Sequence, residues 1–179
     1  MRSVVLYTLM SLDGVAQSPD DFILDWDDRL DANLAEVIAE QDAVLLGRGM
    51  YEEWAAYWPT SDVEPFASFI NSVQKYVVGS REPAADWGPR TVVTDDLATF
   101  VAGLKQTEGS SIGVHGSVTL ARSMLAADLI DELRLVIAPV TAGSGQRLFG
   151  ETDLKRWTLL ASEVSPAGEL VLHYRRRTD

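Results

Sequence analysis

The sequence predicts an α/β fold, with a mainly parallel central sheet flanked by helices and an antiparallel hairpin at the C-terminus. Two patterns predict it. Short apolar runs bounded by Gly, Pro or Asp alternate with longer segments whose apolar residues recur every three or four positions; strands alternating with helices imply parallel strands covered on both faces. Near the end, two alternating segments flank Pro166-Ala167-Gly168, the mark of a hairpin. With 179 residues, 46% of them hydrophobic and 23% charged, the chain has the length of about one domain and the composition to bury a core. Residues 1–179 read as a single domain, with no repeat, low-complexity tract or linker.

Residues 4–9 are almost continuously apolar and stop before Asp13-Gly14, which suits a strand buried on both faces. Leu30, Leu34, Val37 and Ile38 have helical spacing, with Asp27 or Asp28 as N-cap. Residues 43–46 form a second strand ending at Gly47. Met50, Trp54 and Tyr57 mark one face of a short helix stopped by Pro59. Pro65 opens the first turn of a helix carrying Phe66, Phe69, Ile70 and Val73. Strands follow at 76–78 and 91–93, then a helix capped by Asp95 or Asp96 with Leu97, Phe100, Val101 and Leu104 inward. A strand at 112–114 precedes a helix opened by Gly116 and bearing Leu120, Met124 and Leu125. Residues 133–137 form the next strand, 139–150 a loop of small residues, and 157–164 with 169–174 the hairpin.

Fifteen Lys and Arg against 27 Asp and Glu give a formal net charge of −12. That field repels a phosphate backbone or an anionic bilayer, so neither nucleic acid nor membrane is expected as a partner. Any anionic ligand must be met by a local group of arginines. Absence of cysteine excludes disulfides, thiolate zinc sites and Cys nucleophiles. The first ten residues lack the length and cleavage site of a signal peptide, and no segment approaches a membrane span. A cytoplasmic protein is expected.

In sheets of this kind ligands bind beyond the carboxyl ends of the strands. Three predicted strand ends carry suggestive residues: Gly47-Arg48-Gly49, Gly79-Ser80-Arg81 and His115-Gly116-Ser117. Backbone N–H groups at a helix start bind anions, glycine admits a phosphate closely, and Arg48 and Arg81 add cationic forks. Together they fit a phosphorylated dinucleotide.

The ordered set Ser11-Leu12-Asp13-Gly14, Leu45-Leu46-Gly47-Arg48 with Tyr51-Glu52, Val77-Val78-Gly79-Ser80-Arg81 and Val114-His115-Gly116-Ser117 resembles the dihydrofolate-reductase-like fold. Within it, the chain is most similar to the C-terminal reductase domain of the bifunctional riboflavin-biosynthesis deaminase-reductase. Leu129-Ile130-Asp131-Glu132-Leu133, Pro139-Val140, Gly143-Ser144-Gly145 and Leu148-Phe149 extend the likeness over nearly the whole chain. The resemblance implies NADPH as cofactor and hydride transfer to a small pterin-like or pyrimidine-like substrate. It implies that Gly47, Arg48, Ser80 and Arg81 surround the adenosine 2′-phosphate, that Gly116, Ser117, Val118 and Thr119 line the pyrophosphate, and that Trp26 stacks beside cofactor and substrate. It also implies a homodimer. The chain departs from the resemblance at Met50, where Thr is usual, and at Ser117, where a second Gly is usual. The deaminase half needs a His/Cys zinc site, which a chain without cysteine cannot form.

Ser11 and Asp13 end the first strand, where a carboxylate could orient a substrate or relay a proton; Asp13-Gly14 also reads as a plain turn. Residues 20–31 hold six aspartates and Trp26 but lack the glycine of a calcium loop, so a solvated loop with a helix cap is expected. No metal is expected, since His115 and His173 are the only histidines. Either is a general acid or a structural histidine. Trp58 is a candidate substrate contact, and Trp54 reads as core. Gly143-Ser144-Gly145-Gln146-Arg147-Leu148 imitates a dinucleotide fingerprint but has Leu at the third glycine and no helix after it. Residues 175–177 read as a solvated basic tail. The alternative to a reductase is a non-catalytic nucleotide-binding or assembly protein on the same fold.

Overall fold

The computed structural model describes residues 1–23, 25–150 and 153–177. Its elements are β1 (Val4–Ser11), α1 (Asp28–Ala39), β2 (Gln41–Gly47), α2 (Arg48–Tyr57), α3 (Phe66–Ser72), β3 (Gln74–Val78), β4 (Arg90–Val93), α4 (Leu97–Gln106), β5 (Ser111–Val114), α5 (Val118–Ala126), β6 (Glu132–Ala138), β7 (Trp157–Val164) and β8 (Leu170–Arg176). The eight strands form one sheet in the order β4-β3-β2-β5-β1-β6-β8-β7. The first six are parallel; β8 runs back along β6 with Leu172 opposite Leu135, and β7 pairs antiparallel with β8. This is the dihydrofolate-reductase-like arrangement that the sequence predicts.

Alternation along the central strands divides the core in two. Leu6, Leu45, Ile112 and Val114 face a layer closed by α4 and α5 through Val101, Leu104, Leu120 and Met124. Tyr7, Val44, Leu46 and Val77 face the other, closed by α1, α2 and α3 through Leu30, Leu34, Tyr51, Phe66 and Ile70. Each fully buried aliphatic side chain contributes about 1.5–3 kcal/mol, so the four apolar residues of the α1 stripe suffice to dock that helix. Asp27 caps α1, its carboxylate accepting from the N–H groups of Arg29 and Leu30, and Asp96 caps α4 by accepting from Thr99.

Three local expectations change. The buried residue of α2 is Tyr51 and not Tyr57, which is exposed. Tyr51 can be buried because its hydroxyl donates to the Trp87 carbonyl at 3.0 Å and accepts the Trp87 N–H at 2.7 Å. Helix α5 begins at Val118, since Gly116 has φ +65°, outside helical space. The basic C-terminal run is not a free tail: β8 continues to Arg176, Arg175 pairs with Glu132, and Arg176 lies beside Asp131 and Asp128. Among the described residues no helix is long and apolar enough to cross a membrane.

Candidate active site

Because β2 and β5 are neighbours and parallel, the helices that follow them start side by side at the carboxyl edge of the sheet. The backbone N–H of Gly47 donates to the Ser117 hydroxyl at 2.9 Å and ties the two starts together. Ser117 is buried. Its side chain is turned onto β2. Neither α2 nor α5 has a side-chain cap or an acidic residue in its first turn. The Ser117 and Val118 N–H groups donate back to the His115 and Gly116 carbonyls at 2.6 and 3.1 Å, and the remaining first-turn N–H groups stand at the positive ends of two adjacent dipoles. Gly116 lies exposed between them, and a Cβ there would run into the Trp54 ring. Val118 is half-buried and Thr119 exposed on the first turn of α5.

Pairing of β2 with β3 brings Arg48 beside Gly79-Ser80-Arg81. A Cβ on Gly79 would stand 3.0 Å from that of Arg48, so the strand end passes directly along the arginine stem. Ser80 and Arg81 are exposed. Arg48 Nη1 donates to both carboxylate oxygens of Glu52, at 2.9 and 3.0 Å, and Ala84 N–H donates to the same carboxylate at 3.2 Å. The Ala84 bond, then the Arg48 bond, then the field of Arg81 hold the Glu52 carboxyl below its ordinary range. Glu52 has no place in the sequence-derived site, although its spacing of four from Arg48 on a helix signals an ion pair.

Asp13 is fully engaged. Ser11, itself buried, donates its hydroxyl to Asp13 Oδ1 at 2.6 Å, and the N–H groups of Ala142 and Gly143 donate to the two carboxylate oxygens at 2.9 Å each. Arg147 Nε donates to the Asp13 carbonyl at 2.9 Å. These bonds, Ser11 first and Ala142 next, bring the carboxyl down to about 2. Asp13 therefore stands ionised and pins the loop of residues 139–150 to the end of β1. The same loop holds the false fingerprint, in which Leu148 is buried and no helix forms. Trp26 donates its Nε1–H to Asp31 at 2.6 Å, and Asp27 also accepts from Ala167 at the β7–β8 turn.

On the α1 face a chain of rings runs from Tyr7 through His115 and Phe66 to Trp58, with centroids 5.8, 5.5 and 4.9 Å apart. Trp54 joins it edge-on to Phe66 and Trp58, only half-buried. His115 is buried and desolvated down to about 3, so it is neutral and donates Nε2–H to Gln41 Oε1 at 2.7 Å. Buried polar atoms without a hydrogen-bond partner among the described residues include Tyr7 Oη and Trp58 Nε1 on these rings, Gln41 Nε2 beside His115, and Asn33 Oδ1 on α1. Such orphans are costly unless something meets them. The signal in the sequence was an Asn within the buried stripe of α1. His173 lies elsewhere, bonded to Glu132 at 2.8 Å near the opposite edge of the sheet.

Comparison with known proteins agrees with this fold. The chain is 30% identical over 179 residues to the uncharacterized protein YwjB of Bacillus subtilis (strain 168), covering 98% of each. Its fold is similar to that of the diaminohydroxyphosphoribosylaminopyrimidine deaminase/5-amino-6-(5-phosphoribosylamino)uracil reductase of Thermotoga maritima. The TM-score is 0.71 at 15% identity, over 98% of this chain and 57% of that one. It is similar also to dihydrofolate reductase from Enterococcus faecalis complexed with NADP(H), with TM-score 0.64 at 16% identity over 99% of this chain and 97% of that one. The family described as RibD C-terminal domain matches residues 2–171. A match that begins just before β1 and ends within β8 takes in every element that builds these strand ends, and the chain belongs to the RibD C-terminal domain family.

Proposed function

We propose that this chain is an NADPH-dependent reductase acting on a small pterin-like or pyrimidine-like ring. The observation that carries the reading is the pair of uncapped helix starts joined by the Gly47–Ser117 bond, with Arg48 and Arg81 beside them. Family membership supports a reductase-type role, and the reductases named above fit reduction of a nitrogen heterocycle.

The donor set suits the cofactor. First-turn N–H groups of α2 and α5 offer paired sites for a pyrophosphate, and two arginines on neighbouring strand ends offer a separate site for a phosphate monoester. When bound, NADPH supplies a hydride from its nicotinamide ring. Gly116, Ser117, Val118 and Thr119 hold the pyrophosphate, Gly47, Arg48, Ser80 and Arg81 the 2′-phosphate, and Trp26 borders the cofactor. Ser11 and Asp13 fix the loop that closes over the end of β1, so Asp13 acts by positioning. Burial, with Asp31 nearby, raises the Tyr7 hydroxyl and keeps its proton in place. Tyr7, Gln41 and Trp58 hold buried N–H or O–H donors and Asn33 a buried acceptor without partners among the described residues.

Titration with NADPH, followed by the emission of the five tryptophans and by thermal shift, tests the reading. Saturable quenching and a raised Tm are expected. No response at millimolar cofactor overturns it. One observation favours the non-catalytic alternative: Asp13 is ionised and His115 neutral, so neither carries a readily given proton at pH 7. Binding without NADPH oxidation across a panel of pterins and pyrimidines selects that alternative.

A homodimer is part of the proposal. Strand β7 is the sheet edge and leaves Leu159, Leu160 and Val164 exposed; an apolar edge strand favours being covered.

A further inference from the structure

Glu52 lies one helical turn beyond Arg48 on α2, and its carboxylate gathers the donors of the neighbourhood. Arg48 Nη1 donates to both oxygens, Ala84 N–H donates to one of them, and Arg81 contributes its field. Arg48, read as a ligand of a 2′-phosphate, thus already faces an internal anion. A phosphate brought to Arg48 must share the guanidinium with Glu52 or displace it, and two anions on one cation repel.

We propose that Glu52 is a specificity-determining residue of the cofactor site, an internal carboxylate that sets the threshold a ligand must exceed to engage Arg48. The proposal rests on the cofactor reading above. A ribose hydroxyl offers a neutral acceptor and leaves the Arg48–Glu52 pair intact. A dianionic phosphate carries roughly twice the charge of the carboxylate near pH 7 and draws the guanidinium toward itself. Glu52 in this way lowers affinity for phosphorylated adenosine, leaves the unphosphorylated form nearly untouched, and narrows the gap between the two. Its bond to Ala84 sets the carboxylate against the segment that follows Arg81, so the brake is built into the wall of the site.

The test uses the adenosine ends of the two cofactors, 2′,5′-ADP and 5′-AMP, titrated against the unaltered protein and Glu52→Gln. The amide keeps the shape and an acceptor for Ala84 while removing the charge. Affinity for 2′,5′-ADP should rise about tenfold at low salt, and the gain should shrink as salt screens the repulsion. Affinity for 5′-AMP should stay within about twofold, since it places no phosphate against Arg48. Glu52→Ala should repeat the pattern and stands in if the amide variant does not fold. An equal change for both ligands makes Glu52 a packing residue and overturns the proposal. Selective weakening of 2′,5′-ADP makes Glu52 an orienting partner of Arg48 and overturns it equally. If neither protein binds 2′,5′-ADP or NADPH, the cofactor reading itself falls and the proposal with it.

Discussion

Gly47 gives its backbone N–H to the Ser117 hydroxyl at 2.9 Å, across 70 residues of sequence. One bond between neighbouring strand ends thereby sets the spacing of two helix starts. Ser117→Ala should orphan a part-buried donor and lower stability by about 1–3 kcal/mol in urea unfolding. Cofactor affinity should fall with it, because the two N-termini lose their tie. Unchanged stability would mean that water takes over the Gly47 N–H and that the spacing is fixed by packing alone.

Asp13 gives a pH dependence of opposite origin. Its folded-state carboxyl lies at about 2, below the roughly 3.9 of an unfolded Asp. The stabilisation is therefore fully present above pH 4 and is lost as pH falls from 4 toward 2. Asp13→Asn should flatten that part of the stability curve and raise proteolytic nicking within residues 139–150. An unchanged acid limb would assign the acid sensitivity to other carboxylates.

Much of this fold was legible because its strands are short apolar runs and its helices carry strict stripes; Leu30, Leu34, Val37 and Ile38 all face inward as their spacing requires. The misses share a physical cause, namely that the partners fixing these polar side chains lie far away in sequence. Tyr51 depends on Trp87, 36 residues on, and Asp13 on Ala142, 129 residues on. No local period reports such pairs. The parallel order sets the ends of β2, β3 and β5 side by side. The spacing of four between Arg48 and Glu52 carries a local signal of their ion pair, whereas the bond from Gly47 to Ser117 came only from the folded chain.

Lys75 is fully buried on β3. Its ammonium donates to the Val73 carbonyl at 3.0 Å and lies 4.5 Å from the Trp87 ring centre. Desolvation lowers it to about 8, against roughly 10.4 when unfolded. Between those values the unfolded chain holds the extra proton, so stability should rise with pH, by up to about 1.4 kcal/mol per unit. Lys75→Met should remove that slope and leave stability at pH 7 equal or higher. A slope that survives in the variant belongs to another group.

Light scattering at micromolar protein should give twice the monomer mass of 19.6 kDa. Leu160→Lys, on the exposed edge strand β7, should return the monomer mass without a loss of folded signal. A monomer in the unaltered protein removes the dimer from the proposal, and a dimer indifferent to Leu160 moves its interface away from β7.

Arg48 and Arg81 should set a preference for NADPH over NADH, and their variants should differ from each other. With a net charge of −12, the protein's average field opposes the phosphate, and only a local cationic pair can make it welcome. A hydrogen bond to a charged group contributes roughly 1.5–3 kcal/mol, so loss of either arginine should weaken NADPH by about 10- to 100-fold. NADH lacks the phosphate and should hardly change. Arg48→Ala should be the worse of the two, because it also strips Glu52 of its guanidinium and leaves that carboxylate facing the ligand with only the Ala84 N–H. Arg81→Ala leaves the Arg48–Glu52 pair in place and removes one charge. Adding Glu52→Gln to Arg48→Ala should therefore recover part of the lost NADPH affinity, whereas adding it to Arg81→Ala should recover affinity through the freed Arg48. Equal losses for NADPH and NADH in both single variants would show that the arginines act through packing, and the phosphate site would then lie elsewhere on the carboxyl edge.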